Sequence, residues 1–320
     1  MDYDFSDCTL CPRNCHADRT VLSPVSGSNK PTGYCRQSAS ITAARAALHM
    51  WEEPCISGTC GSGTVFFSGC NMGCIFCQNY EIAHGMSGKT ISVQRLSEIF
   101  LELQGKRAHN INLVTPTHFA PQIIDALVLA KKYGLRIPIV YNTSSYETVD
   151  TLRMLDGLVD IYLPDFKYYS SVLSKKYSFA EDYFEKASLA VAEMVRQTGD
   201  PVFQSETGAY LSADEYDDKA LLLRGTIVRH LLLPGSLDDS KAVVKYLYET
   251  YRNRIFLSIM SQYTPLKHVR KYPELNRKVS PRDYESLVDY AVSLGVENGF
   301  IQDSDTAAES FIPDFNCEGV

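Results

Sequence analysis

The chain has 320 residues, 45% hydrophobic and 22% charged, which is the balance of a globular protein rather than a disordered or fibrous one. Its formal net charge is −7 and it has no lysine- or arginine-rich run, which argues against nucleic-acid binding because phosphate neutralisation needs clustered cations. No apolar stretch approaches the ~20 residues that span a bilayer, so no membrane partner is expected, and the acidic start through Asp7 lacks a secretory pattern.

In chain order, the first segment is rich in cysteine and proline. Cys8, Cys11, Cys15 and Cys35 are interleaved with Pro12, Pro24 and Pro31. Four thiols in a short Gly/Pro-rich stretch predict a metal site, either structural zinc or an auxiliary iron–sulfur cluster. With Cys70, Cys74 and Cys77 they make seven of the ten cysteines, a clustering that reads as metal binding in a reducing compartment, the cytoplasm. From residue 64, β-rich runs alternate with helical spacing. Strands are predicted over 64–68, 111–115, 137–142, 159–164, 226–233 and 255–260. Helices are predicted over 93–103, 123–132 and 240–251, the first with Leu96, Ile99, Phe100 and Leu103 on one face. Asp238, Asp239 and Ser240 signal a helix start; Gly134 and Gly295 signal helix stops. Six strands alternating with helices predict an α/β fold with parallel βαβ units, and polar residues at the strand C-terminal ends favour a curved, barrel-like sheet with its site at that rim. The domains expected are a cysteine-rich module over 1–60 and the barrel with a C-terminal tail over 61–320. Residues 197–223 form a polar insertion, either a surface loop or a lid.

The run Cys70-Asn-Met-Gly-Cys74-Ile-Phe-Cys77 follows the first strand of the barrel. It offers three thiolates, whereas iron–sulfur clusters are usually held by four. On a four-iron cluster this leaves one iron open to something other than protein. Buried structural thiols and a closed zinc site are the alternatives, the latter needing a fourth ligand for which His84 is the nearest candidate. The spacing after a strand resembles the radical S-adenosylmethionine (radical SAM) superfamily. With Gln78 and Asn79 following, it is similar to the glycyl-radical-enzyme activases, the pyruvate formate-lyase activating enzyme group. Asn142-Thr-Ser-Ser145, Asp165-Phe-Lys167 and Arg229-His230 leading to Pro234-Gly235 resemble, in order, the activase segments at later strand ends. Thr115-Pro-Thr117-His118 departs from the usual Gly-Gly-Glu segment. Together with Trp51-Glu-Glu-Pro-Cys55 and Phe311 to Phe315, it is similar to a branch described as pyruvate formate-lyase activating enzyme-like.

The resemblance implies a partial (βα)6 radical SAM barrel with an N-terminal cysteine-rich metal-binding extension. It implies an oxidoreductase in which Cys70, Cys74 and Cys77 hold a catalytic 4Fe–4S cluster. Asn79, Thr115, Thr117, Asn142, Asp165, Lys167 and His230 are the expected contacts of S-adenosylmethionine (SAM). A flavodoxin or ferredoxin is the expected reductant. The reaction implied is reductive SAM cleavage to a 5′-deoxyadenosyl radical that abstracts hydrogen, from a glycine of a partner glycyl radical enzyme if the activase likeness extends to the substrate. Radical modification of a peptide or small metabolite, or a non-catalytic redox-sensing scaffold, are the other readings. His118 is either a substrate-facing acid/base or a polar residue at a helix start.

Overall fold

The structure, a computed structural model, describes residues 3–20, 33–301 and 313–320. Pro24, Pro31, Phe311 and Ile312 lie outside the described residues. In chain order the elements are β1 (Ile41–His49), α1 (Pro54–Ser57), β2 (Ser62–Phe67), α2 (Tyr80–Ala83), β3 (Lys89–Ile91), α3 (Val93–Gly105), β4 (Ile111–Val114), α4 (Ala120–Lys132), β5 (Ile139–Thr143), α5 (Val149–Met154) and β6 (Ile161–Pro164). There follow α6 (Ser171–Ser178), α7 (Tyr183–Thr198), β7 (Val202–Gln204), β8 (Tyr210–Leu211), β9 (Leu221–Leu231), α8 (Leu237–Tyr251), β10 (Phe256–Met260), α9 (Pro281–Leu294) and β11 (Gly299–Ile301).

The main sheet runs β11-β10-β9-β6-β5-β4-β2-β1-β3. From β2 to β11 every neighbouring pair is parallel. β1 is antiparallel to both β2 and β3. The sheet is open: its end strands are β11 and β3, not partners of one another. All six predicted barrel strands are present, as are the three predicted helices. Ser92 caps α3 by accepting from Arg95 N–H at 3.0 Å, and the predicted face of Leu96, Ile99, Phe100 and Leu103 is buried under Val65 and Phe67. Gly295 ends α9 at φ 96°, a left-handed turn that L side chains resist.

The segment before the expected boundary at residue 60 contributes a strand to the main sheet. β1 lies within the sheet, and the C-terminal tail joins it, Cys317 N–H donating to Ala44 O at 2.9 Å and Ala46 N–H to Glu318 O at 2.8 Å. The segment after β1 turns under the barrel. Cys55 and Ile56 of α1 pack against Val140, Ile161 and Phe256, at or near the N-terminal ends of their strands, and against Ile227, which is level with Phe256 in the pairing of β9 and β10. This plug closes the barrel at the end opposite the cysteine run.

The 197–223 insertion is not a lid at the cysteine rim. Phe203 of β7 and Leu222 of β9 join the same cluster as Cys55 and Ile56, and Tyr216 packs on Phe203 and Phe256. The insertion covers the plug. Apolar residues spaced among its polar ones give it a small core of its own, and burial of a Phe or Leu side chain contributes roughly 1.5–3 kcal/mol.

Candidate active site

Strand alternation sends Asn142, Asp165, Arg229, Leu231, Ser258 and Met260 into the barrel, where they line a cavity of about 520 Å³. Its rim carries Cys70, Cys74 and Cys77 with Gln78 and Asn79; its lower wall carries Trp51, Glu52 and Glu53 from the plug.

The cysteine loop is shaped by two glycines. Gly69 has φ 88°, and a Cβ there would stand 2.6 Å from Cys35 O; Gly73 has φ 69°, with the Tyr34 hydroxyl 3.0 Å from the same point. Both positions need a left-handed backbone and close approach, which only glycine supplies without strain. Arg13, between Cys11 and Cys15, clamps the loop: its Nε donates to Asn71 O at 2.7 Å, and Nη2 donates to Met72 O and Ser178 O at 3.1 Å each. Its guanidinium lies 3.8 Å over the Tyr34 ring. The N-terminal module therefore holds the loop that carries the three thiols.

The sulfurs are themselves hydrogen-bonded. Cys74 Sγ accepts from Ser178 Oγ at 3.0 Å, and Cys70 Sγ from Met72 N–H at 3.3 Å. Burial pushes the Cys77 thiol up, with Cys74 and Cys70 adding to it; burial also raises Cys74, against which the Lys167 ammonium acts. Three mutually sensed thiols with a cation beside them, facing a cavity, form a donor set that suits a thiolate-loving iron–sulfur cluster. Among the described residues, no group of three or more His, Cys, Asp or Glu side chains is arranged to hold a single metal ion. Cluster cysteines bind separate irons, so their sulfurs stand farther apart than the ligands of one ion. The residues present fit such a cluster; His84 does not line the cavity, its Nδ1 donating to Tyr80 O at 2.9 Å and its ring stacking on Tyr80.

At the N-terminus, Cys8, Cys11, Cys15 and Cys35 are neighbours and unbridged. Cys15 and Cys35 sulfurs lie 3.6 and 3.7 Å from one point over Gly33, and Arg19 Nη1 approaches Cys8 Sγ at 3.5 Å. Burial pushes the Cys11 thiol up to about 12, with Cys35 and Cys8 contributing. Among the described residues, the four are not arranged as a group that holds a single metal ion.

The expected SAM contacts divide. Asn79, Thr115, Asn142, Asp165 and Lys167 line the cavity; Thr117 and His230 do not. Thr117 is buried in the turn after β4, and its hydroxyl donates to Glu147 Oε1 at 2.6 Å. His230 points out of the barrel because its neighbour Arg229 points in, and its Nδ1–H donates to Phe166 O at 2.7 Å. His118 is likewise internal, with Nε2–H donating to Ser68 O at 2.7 Å, so it is not substrate-facing. Burial depresses both imidazoles, His118 to about 3 and His230 to about 4, so both are neutral braces behind the strand ends. Thr115 is a β-branched residue at φ 57° on the cavity wall, a strained conformation of the kind that concentrates at functional sites.

Arg229 is the principal group that sequence reasoning passed over. Its Nε donates to Asp165 Oδ1 at 2.8 Å, Nη1 to Glu52 Oε2 at 3.0 Å and Nη2 to Asn142 Oδ1 at 2.7 Å. Asp165 also accepts from Lys167 Nζ at 2.7 Å. Burial favours a neutral Asp165, but the Arg229 and Lys167 charges hold its carboxyl below the ordinary value. Strand alternation alone, with 227, 229 and 231 inward, was the signal that could have chosen Arg229 over His230.

With this geometry in view, comparison with known proteins is direct. The model of the radical SAM superfamily matches residues 64–202. A Methanocaldococcus jannaschii protein, the uncharacterized protein MJ0674, is 26% identical over 302 residues, covering 92% of this chain and 76% of its own. Among solved structures, Streptococcus suis SuiB bound to its precursor peptide SuiA aligns with a TM-score of 0.48 and 12% identity, over 74% of this chain and 47% of SuiB. This chain thus spans about half the length of SuiB. A domain of a pyruvate-formate lyase-activating enzyme from Bacteroides vulgatus aligns with a TM-score of 0.36 and 13% identity, over 57% of this chain and 91% of that domain.

Proposed function

We propose that the chain is a radical SAM enzyme that cleaves SAM reductively and directs the resulting 5′-deoxyadenosyl radical at a substrate inside the barrel. The observation that carries this is the run of three cavity-facing thiols just after the first parallel strand, within the stretch that the radical SAM model matches. When bound, a 4Fe–4S cluster supplies the electron for SAM cleavage. Cys70, Cys74 and Cys77 would hold it, leaving one iron without a protein ligand. Asn79, Thr115 and Asn142 offer polar contacts to SAM, and Lys167 and Asp165 a matched charge pair at the rim. Barrel walls and floor plug keep the cavity enclosed below the rim, which protects a reactive carbon radical from side reactions. A flavodoxin or ferredoxin is the reductant proposed, and the reducing cytoplasm fits ten unbridged cysteines. Among the described residues no helix is long and apolar enough to cross a membrane.

Anaerobic reconstitution followed by iron, sulfide and zinc counting, with 5′-deoxyadenosine measured after dithionite and SAM, tests the reading. Deoxyadenosine from the wild type and none from Cys70→Ala, Cys74→Ala or Cys77→Ala supports it; none from an iron-loaded wild type sinks it. The activase version adds a requirement. Reduced enzyme, SAM and a glycyl radical enzyme from the same organism should give a glycyl doublet in the EPR spectrum.

A further inference from the structure

The floor of the cavity carries a group that the proposed SAM contacts do not use. Glu53 stands in the plug with only 7% of its surface exposed, lines the cavity, and leaves its Oε2 without a hydrogen-bond partner. Ser258 faces it from β10, 1% exposed, its hydroxyl beside the carboxylate and bonded to no other group. Ser258 lies two residues before Met260, which puts this pair about 7 Å down the strand from the rim level. A buried carboxylate oxygen without a partner is costly, and the Arg229 charge, shared with Asp165 and Glu52, offsets it only in part.

The charges show the imbalance. Among the described residues the cavity wall carries Glu52, Glu53, Asp165, Lys167 and Arg229 as ionisable acids and cations besides the cysteines. Lys167 and Arg229 are engaged by Asp165 and Glu52. His49, the imidazole on the wall, is kept neutral by burial and by the Arg45 and Arg229 charges. Glu53 is the surplus negative charge.

We propose that Glu53 and Ser258 form a substrate anchor at the barrel floor that takes a cationic nitrogen, an ammonium or guanidinium, of the molecule whose C–H bond faces the rim. The carboxylate supplies the counter-charge and the serine hydroxyl accepts a second N–H. The closed plug admits a single such group, so the source is a small amine or one long basic side chain. Burial raises the Glu53 carboxyl and the Arg229 charge opposes it; a cation bound beside Glu53 would act in the same direction as Arg229. The inference rests on the radical reading only for what happens to the bound molecule, since binding itself needs neither cluster nor SAM.

Trp51, two residues from Glu53 and the only tryptophan in the chain, reports on the site. n-Butylammonium, n-butanol and a capped Ala-Lys-Ala tripeptide are titrated against the protein without added iron, read by Trp51 fluorescence and by ligand-detected NMR. The expected result is saturable binding of butylammonium, at least tenfold weaker binding of butanol, and a loss of at least tenfold in Glu53→Gln with the fold intact by circular dichroism. Ser258→Ala, a smaller change, should weaken binding several-fold. Tripeptide binding assigns the source to a basic side chain; its exclusion assigns it to a small amine. Equal binding of butanol, undiminished binding by Glu53→Gln, or no binding by either readout overturns the anchor. Deoxyadenosine formation by the wild type is a separate measurement, so the two readings fail independently.

Discussion

Arg229 holds Asp165, Glu52 and Asn142 at one point because a guanidinium presents planar donors in several directions, which a lysine ammonium cannot reproduce. Removing one partner of a buried charge set leaves the rest uncompensated and costs on the order of 3–5 kcal/mol. Arg229→Met should lower unfolding free energy by about that amount, read by urea denaturation, and Arg229→Lys should recover only part. A change below about 1 kcal/mol for Arg229→Met would show that the network is solvated and not structural. Sequence reading found the Arg229-His230 pair but gave the role to His230. Asp165 and Lys167 were legible as a pair because they are two residues apart on one inward face; Arg229 joins them only through parallel pairing of β6 and β9.

At the scale of elements, the loops after β2 and β6 are braced from behind by neutral imidazoles, His118 on Ser68 O and His230 on Phe166 O. His118 and His230 have folded-state values of about 3 and about 4, below the ordinary value near 6.5. The unfolded chain therefore binds more protons below pH 6.5, so their stabilising contribution is complete above that pH and is lost as pH falls toward 4. At pH 5 each residue should cost about 2 kcal/mol relative to pH 7. Thermal unfolding between pH 7 and 5 checks this, with His118→Gln and His230→Gln each flattening the slope by about one proton. An unchanged slope in both variants would place the imidazoles in contact with solvent. The six barrel strands and α3 could be read from sequence because their apolar periodicity matches their burial. β1 could not: its alanine-rich run Ile41–His49 has low strand propensity, and only pairing with β2, β3 and the C-terminal tail makes it a strand. The insertion reads as polar, a surface loop or a lid, because Phe203, Tyr216 and Leu222 acquire a common partner only once the plug is in place.

Across the whole molecule, an N-terminal cysteine module, an open parallel barrel and a plugged floor meet around one cavity. Arg13 connects the first two, and its replacement tests whether the module positions the cysteine loop. Arg13→Ala should leave the barrel folded by circular dichroism while lowering iron retention several-fold during gel filtration after reconstitution. Full retention would make the module a separate appendage. The cysteine runs were evident in sequence because metal ligands cluster in short spacings. The floor was not, since Glu52 and Glu53 precede the barrel strands and reach the site only by turning beneath them.

The central claim is that three thiolates leave one iron open to SAM within this cavity. EPR spectroscopy of the reconstituted, dithionite-reduced protein with and without SAM tests it most directly. The account predicts a reduced 4Fe–4S signal whose g-values change on SAM addition in the wild type and in Cys8→Ala, and which is absent from Cys74→Ala. A cluster signal indifferent to SAM, or one that survives in Cys74→Ala and disappears in Cys8→Ala, would contradict it.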